Sequence, residues 1–238
     1  ILHFATDFSL IGAERAWSLV LDLNEGMIIG LPGLLLTLPV AAALAWRDTP
    51  ASERAALGLD IGGTLLLVVA MAAPTLAIHN WNSAAIVFIR YGYWLSMPLL
   101  VLFAELLGRL ERRPRSYVAG SFVALQAAVL ALNGVVGERS SYVRHSWAAK
   151  LVLERRPSAY NPVPEIFYER SMGWEPVEPK DVVVWPYRGT PGKLMVRGEL
   201  PQSDRVCPNG GIVQGARVHA VSDGWRYLDP PFRCEPMP

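Results

Sequence analysis

Two carboxylates three residues apart, Asp22 and Glu25, stand in the string Asp22-Leu23-Asn24-Glu25-Gly26, directly before a long apolar run. A carboxylate held beside an acceptor hydroxyl can take its proton as a general base. The same two side chains also suit an ordinary capping role at the positive end of the helix that follows. A second polar group is His79-Asn80-Trp81-Asn82, followed by Arg90-Tyr91-Gly92-Tyr93-Trp94. A guanidinium at Arg90 matches a lipid-linked phosphate in two-point geometry. His79 and Asn82 match sugar hydroxyls, and Trp94, with Tyr91 beside it, matches the apolar face of a sugar ring. The plainer roles are loop residues for His79 and Asn82, and for Arg90 a side chain that snorkels to headgroups. A third feature is the only cysteine pair, Cys207 and Cys234. Closing the loop of about 28 residues between them as a disulfide stabilises by roughly 3–4 kcal/mol on the chain-entropy model. Two unrelated buried thiols are the alternative.

Other chemistries leave no trace. There is no nucleophile elbow, no phosphate-cradling glycine loop and no metalloprotease helix. No His or acidic cluster accompanies the cysteines at ligand spacing, so neither a metal nor another cofactor is called for. Gly62-Gly63 lies inside an apolar run and reads as a close-packing site.

The elements that must position these groups follow from composition. Of 238 residues, 52% are hydrophobic and only 18% charged, against about 25% charge in a soluble domain. Residues 1–136 hold 17 charged side chains, whereas the 102 residues after them hold 26. Prolines number 6 before residue 137 and 13 after it. A lipid-embedded part followed by a water-facing domain results, and a single soluble globule is excluded. The net charge of +1 gives no argument for a nucleic-acid partner. The chain begins at Ile1 without an initiator Met or a basic signal-peptide start, which points to a processed segment or further spans upstream.

Four apolar stretches approach the 20 or so residues that a span requires: 27–46, 57–78, 90–108 and 116–136. Arg109, Arg112, Arg113 and Arg115 lie between the third and fourth, and Arg47 and Arg54 between the first and second. The positive-inside rule puts both loops in the cytoplasm. The segment before span one, the loop around His79–Arg90 and the tail then face outward, with Trp81, Tyr91, Tyr93 and Trp94 as an interfacial belt. Glu105 and Arg109 are spaced to pair. Asp60 falls at the inner end of span two, with Arg54 or Arg47 as its partner.

In the tail, residues 137–238, a weak helical pattern over Tyr142–Leu153 precedes Asn161-Pro162-Val163-Pro164-Glu165, where a short helix can begin at Pro164 or Glu165. From about residue 181 the pattern becomes strand-like: Val182–Trp185, Lys193–Leu200, Gly211–Val221 and Trp225–Leu228. Turn chemistry separates these runs at Arg188–Gly192, Asn209-Gly210-Gly211 and Asp223-Gly224. The expected fold is an α-helical multi-pass membrane protein of about four spans with a small extracytoplasmic β-rich domain at its C-terminus.

Three strings, Asp22-Leu23-Asn24-Glu25-Gly26-Met27, Arg90-Tyr91-Gly92-Tyr93-Trp94 and Asn161-Pro162-Val163-Pro164-Glu165, give the chain a resemblance. With the alternation of spans and outward polar loops, it resembles the C-terminal part of multi-pass glycosyltransferases of the GT-C architecture, which use polyprenyl-phosphate sugars. The resemblance implies sugar transfer at the outer face of a plasma or inner membrane. Such enzymes have more spans and carry their catalytic acidic residue in the first outward loop, which would lie upstream of Ile1. A fragment inactive alone is therefore implied. A membrane-anchored module that presents the tail to envelope glycans or a partner is the second reading. A transporter is third, since no charge lies in the middle of a span.

Overall fold

The structure, a computed structural model, describes residues 7–78, 90–135, 143–173, 181–187, 190–198, 212–221 and 224–235. It divides into two compact units, residues 1–139 and 140–238.

The first unit is helical. After a 3-10 turn at Phe8–Leu10 come α1 (Ala13–Leu21), α2 (Met27–Gly30), α3 (Pro32–Asp48), α4 (Arg54–Leu76), α5 (Arg90–Arg109) and α6 (Arg112–Val135). Three of these, α4, α5 and α6, are long and apolar enough to cross a membrane. The run 27–46, expected as one span, is instead two helices broken at Leu31, whose backbone lies at φ −135°, ψ 50°. The cause is Pro32, whose ring disfavours helical geometry in the residue before it. What remains, α3, has 17 residues, about 25 Å at 1.5 Å per residue, at the lower limit of a span.

Helix α5 lies at the centre, packed against α3, α4 and α6. Its buried stripe, Tyr91, Leu95, Leu99, Leu102 and Leu106, repeats every three or four residues, as one helix face must. Leu34, Ala41 and Ala45 of α3, Leu57 of α4 and Val118 of α6 close the core around it. The outer faces of α4 and α6 are apolar and open: Leu59, Leu66, Val69, Val123 and Leu130 are all exposed. That is an inside-out surface for water and a natural one for lipid.

Successive helices alternate in direction. Gly30 at the end of α2 and Gly33 in α3 meet Gln126 and Phe122 of α6 respectively, so α3 and α6 run oppositely. A Cβ on Gly33 would stand 2.7 Å from the Phe122 carbonyl oxygen, which shows how closely these backbones approach. Arg109, at the end of α5, bonds Asp60 near the start of α4 at 3.1 Å and Glu105 at 2.7 Å. The Glu105–Arg109 pair is as the spacing predicts. Asp60, however, is held by Arg109 and not by Arg54 or Arg47, which bond the Thr49 carbonyl and Asp48.

The second unit carries α7 (Trp147–Arg155), capped by the Ser146 hydroxyl accepting from Ala149 N–H at 3.1 Å. A 3-10 turn at Pro157–Ala159 leads to α8 (Pro164–Met172), with Pro164 in its first turn as expected. Strands β1 (Val182–Tyr187), β2 (Thr190–Arg197), β4 (Arg217–Ala220) and β5 (Trp225–Asp229) form an antiparallel sheet in the order β1-β2-β5-β4. The expected strand Gly211–Val221 is interrupted at Gly215 (φ +79°) into β3 (Ile212–Gln214) and β4. Strand β3 pairs with β6 (Arg233–Glu235), which the sequence did not announce. One sheet face buries Leu194, Val196 and Leu228 with Ala216 and Phe232. The other stacks Tyr227 on Phe167 and Trp225 on Tyr168 of α8, edge to face.

Candidate functional site

Helix α1 packs on α2, α4 and α5. The directions established above place α4's C-terminus, α5's N-terminus and the start of α3 at one end of the helical unit. Arg15 fixes α1 there. Its Nη1 donates to the carbonyl oxygens of Leu76 at 3.0 Å and Ile78 at 2.8 Å. These carbonyls are left over where α4 finishes, and a cation at the negative end of a helix is favourable.

The chain then turns sharply. Asp22 Oδ1 accepts from the backbone N–H of Asn24 at 2.7 Å and of Glu25 at 3.1 Å. Gly26 N–H returns to the Asp22 carbonyl at 2.9 Å. A Cβ on Gly26 would sit 2.5 Å from Asp22 N and 2.6 Å from Asp22 O, so only glycine closes this turn. The residue capping α2 is Gly26 itself, without a side-chain bond. Asp22 therefore shapes the turn and does not cap the following helix. The turn carries Asn24 and Glu25 inward: Ser18, Asp22, Asn24 and Glu25 are all buried, Glu25 completely.

The aromatic positions separate. Tyr91 is buried and meets Trp94 edge to face, ring centroids 5.5 Å apart. Tyr93 and Trp94 are exposed, as an interfacial belt requires, whereas Tyr91 opens α5's inward stripe. Arg90 is the first residue of α5. His79, Asn82 and Trp81 lie outside the described residues, as does Cys207. Cys234 stands in β6 opposite Val213.

Two polar members of this end, Arg15 and Ser18, were not singled out from the sequence as site residues. A signal existed for Arg15, the only cation in residues 1–46. Counted for topology alone, it gave no hint of its carbonyl partners, which lie more than sixty positions away. Among the described residues no group of three His, Cys, Asp or Glu side chains is placed to hold a metal.

A separate polar cluster organises the second unit. The Lys193 ammonium is wholly buried and donates to Asp229 Oδ1 and Asn161 Oδ1, both at 2.5 Å, and to the Pro157 carbonyl at 2.7 Å. It also lies 4.6 Å from the centre of the Tyr227 ring, whose hydroxyl donates to Pro162 O at 2.8 Å. The Asn161–Glu165 string is thus pinned to the sheet from two sides. Burial pushes the Lys193 pKa down, opposed by its bond to Asp229. Nearby, His145 Nε2 is 3.0 Å from Ser171 Oγ, with Trp185 and Phe167 against its ring. Burial, then the charges of Arg170 and Lys150, push the His145 pKa down to about 3.

The chain matches no known protein family, no curated protein and no solved structure.

Proposed function

We propose that the chain is a membrane-embedded part of a glycosyltransferase that moves a sugar from a polyprenyl-phosphate donor to an acceptor at the outer face of the membrane. The observation that carries this reading is Glu25: a carboxylate wholly buried at the end of an apolar helical unit, on a turn that only glycine can close. A carboxylate held at that end of the unit stands where an acceptor hydroxyl would give up its proton. In the proposed step the acceptor oxygen attacks the anomeric carbon and the bond from that carbon to the phosphate oxygen breaks. Polyprenyl phosphate leaves, and Glu25 takes the acceptor proton. Asp22 holds the turn, Arg90 is the proposed grip on the donor phosphate, and His79, Asn82 and Trp94 are the proposed sugar contacts, with Tyr91, turned inward, supporting Trp94. Four spans are proposed, α3 being the short fourth, with the second unit and any Cys207–Cys234 disulfide outside the cytoplasm.

The test is binding of a radiolabelled polyprenyl-phosphate sugar by the purified chain in nanodiscs. Arg90→Lys, which loses the planar fork, should weaken donor binding markedly and Arg90→Ala further; losing a charge-assisted bond pair costs about 2–3 kcal/mol, or roughly thirtyfold to hundredfold in affinity. Glu25→Gln should leave donor binding by the chain intact and abolish sugar transfer by the larger transferase of which the chain is a part. Equal binding by wild type and Arg90→Lys would reduce Arg90 to an interfacial anchor. No donor binding at all would favour the second reading, a membrane-anchored binding module, for which the separate core of the second unit speaks.

A further inference from the structure

Helix α1 is amphipathic in the inverted sense. Its polar residues, Arg15 and Ser18, point into the protein, while Trp17 and Leu21, one turn apart, point away, Trp17 being 64% exposed. Phe8, 75% exposed, and Ile11 continue this open apolar surface ahead of the helix, and Ala13 and Ala16 fill it in. Its only charged residues are elsewhere: Arg15 is buried and Glu14 half-buried. A helix in water turns such a face inward. Three bonds fix where this one sits. Asp7 N–H donates to the Ala77 carbonyl at 2.7 Å, and Arg15 holds the carbonyls of Leu76 and Ile78. The segment 7–21 is therefore tied to the point where α4, a helix long and apolar enough to span, comes to an end. The end of a spanning helix lies at the depth of the headgroups, where tryptophan rings are favoured.

We propose that residues Phe8–Leu21 form an interfacial element, lying in the plane of the membrane with Phe8, Ile11, Trp17 and Leu21 inserted among the lipid acyl chains. The occupant of this face is lipid, because the face is continuous in character with the open apolar surfaces of α4 and α6 and lacks any charge to pair with a protein. It lacks basic residues too, so insertion is hydrophobic and indifferent to anionic lipid.

The test uses the full chain in nanodiscs of zwitterionic phosphatidylcholine carrying a fraction of a diazirine-labelled analogue, with adducts mapped by peptide mass spectrometry. Adducts on the outer faces of α4 and α6 serve as the internal standard for correct insertion. The expected result is adducts within residues 8–21, concentrated on Trp17 and Leu21, at a yield unchanged when anionic lipid is added. Trp17→Ser with Leu21→Ser should remove them while the α4 and α6 adducts persist. Labelling of α4 and α6 with none in residues 8–21 would overturn the proposal and assign this face to a protein partner. A yield that rises with anionic lipid and falls with salt would overturn it as well.

Discussion

At the scale of single residues, the buried polar side chains govern how the protein responds to its medium. His145 is held neutral, its pKa at about 3 against an ordinary value near 6.5. Between those two pH values the unfolded chain binds a proton that the folded chain refuses, so stability falls as pH falls through that window. The slope approaches one proton, a tenfold change in the folding equilibrium per pH unit. Thermal unfolding of the full chain in detergent from pH 7 to pH 4 should show this dependence, and His145→Gln should flatten it. An unchanged slope in the variant would place the titrating group elsewhere. Lys193 behaves differently, because its partner is buried as well. Lys193→Met strands the Asp229 carboxylate inside the sheet and should cost about 3–5 kcal/mol, whereas Lys193→Met with Asp229→Leu should recover most of it. Melting temperatures of the two variants decide the matter: a single variant as stable as wild type would contradict a buried pair.

At the scale of elements, the break between α2 and α3 governs the first unit. Gly30, stranded by the break, offers its carbonyl to Gln126 Nε2 at 2.8 Å. One helix thereby satisfies a backbone group that another has released, as an apolar environment requires. Gln126→Leu should destabilise the helical unit by about 1 kcal/mol, while Val123→Leu, on the exposed side of the same helix, should change nothing. Resistance of both variants to thermal unfolding in the same detergent is the measurement. A hydropathy count did not reveal this break, because twenty uncharged residues score alike whether straight or broken. Pro32 was in plain view, but its effect on Leu31 is a matter of backbone geometry. The helix start at Pro164 and the turn at Gly224 (φ +74°) were legible because each depends on two or three neighbouring residues. Strand β6 was not legible: three residues after Pro230-Pro231 carry no alternation and become a strand only opposite β3. The same limit hid the site. Glu25 and Asp22 could be named from the sequence, but the inward turn of one by the other depends on how close Gly26 lies to Asp22.

At the scale of the whole molecule, the first unit has two unlike ends. One holds Arg15, Asp22, Asn24 and Glu25. The other holds the Arg109–Asp60–Glu105 group and the arginines that begin α6. The positive-inside rule assigns the arginine-rich end to the cytoplasm. Reporter fusions after Arg54 and Arg113 should therefore read cytoplasmic, and one after Arg170 should read external. Under the proposed orientation Cys207 and Cys234 fall on the oxidising side, and thiol labelling of protein prepared without reductant should then find neither cysteine reactive until reduction. A cytoplasmic signal from the Arg170 fusion would overturn both expectations together.

The Arg15 bridge also sets an order of assembly during synthesis. The carbonyls it caps are made 61 and 63 residues after it. At 5–20 residues per second, that is a delay of roughly 3–12 s. Through that interval α1 has been made but has nowhere to dock, and its arginine must stay hydrated at the membrane surface. Helix α1 thus cannot take its final place until α4 has been threaded to its end.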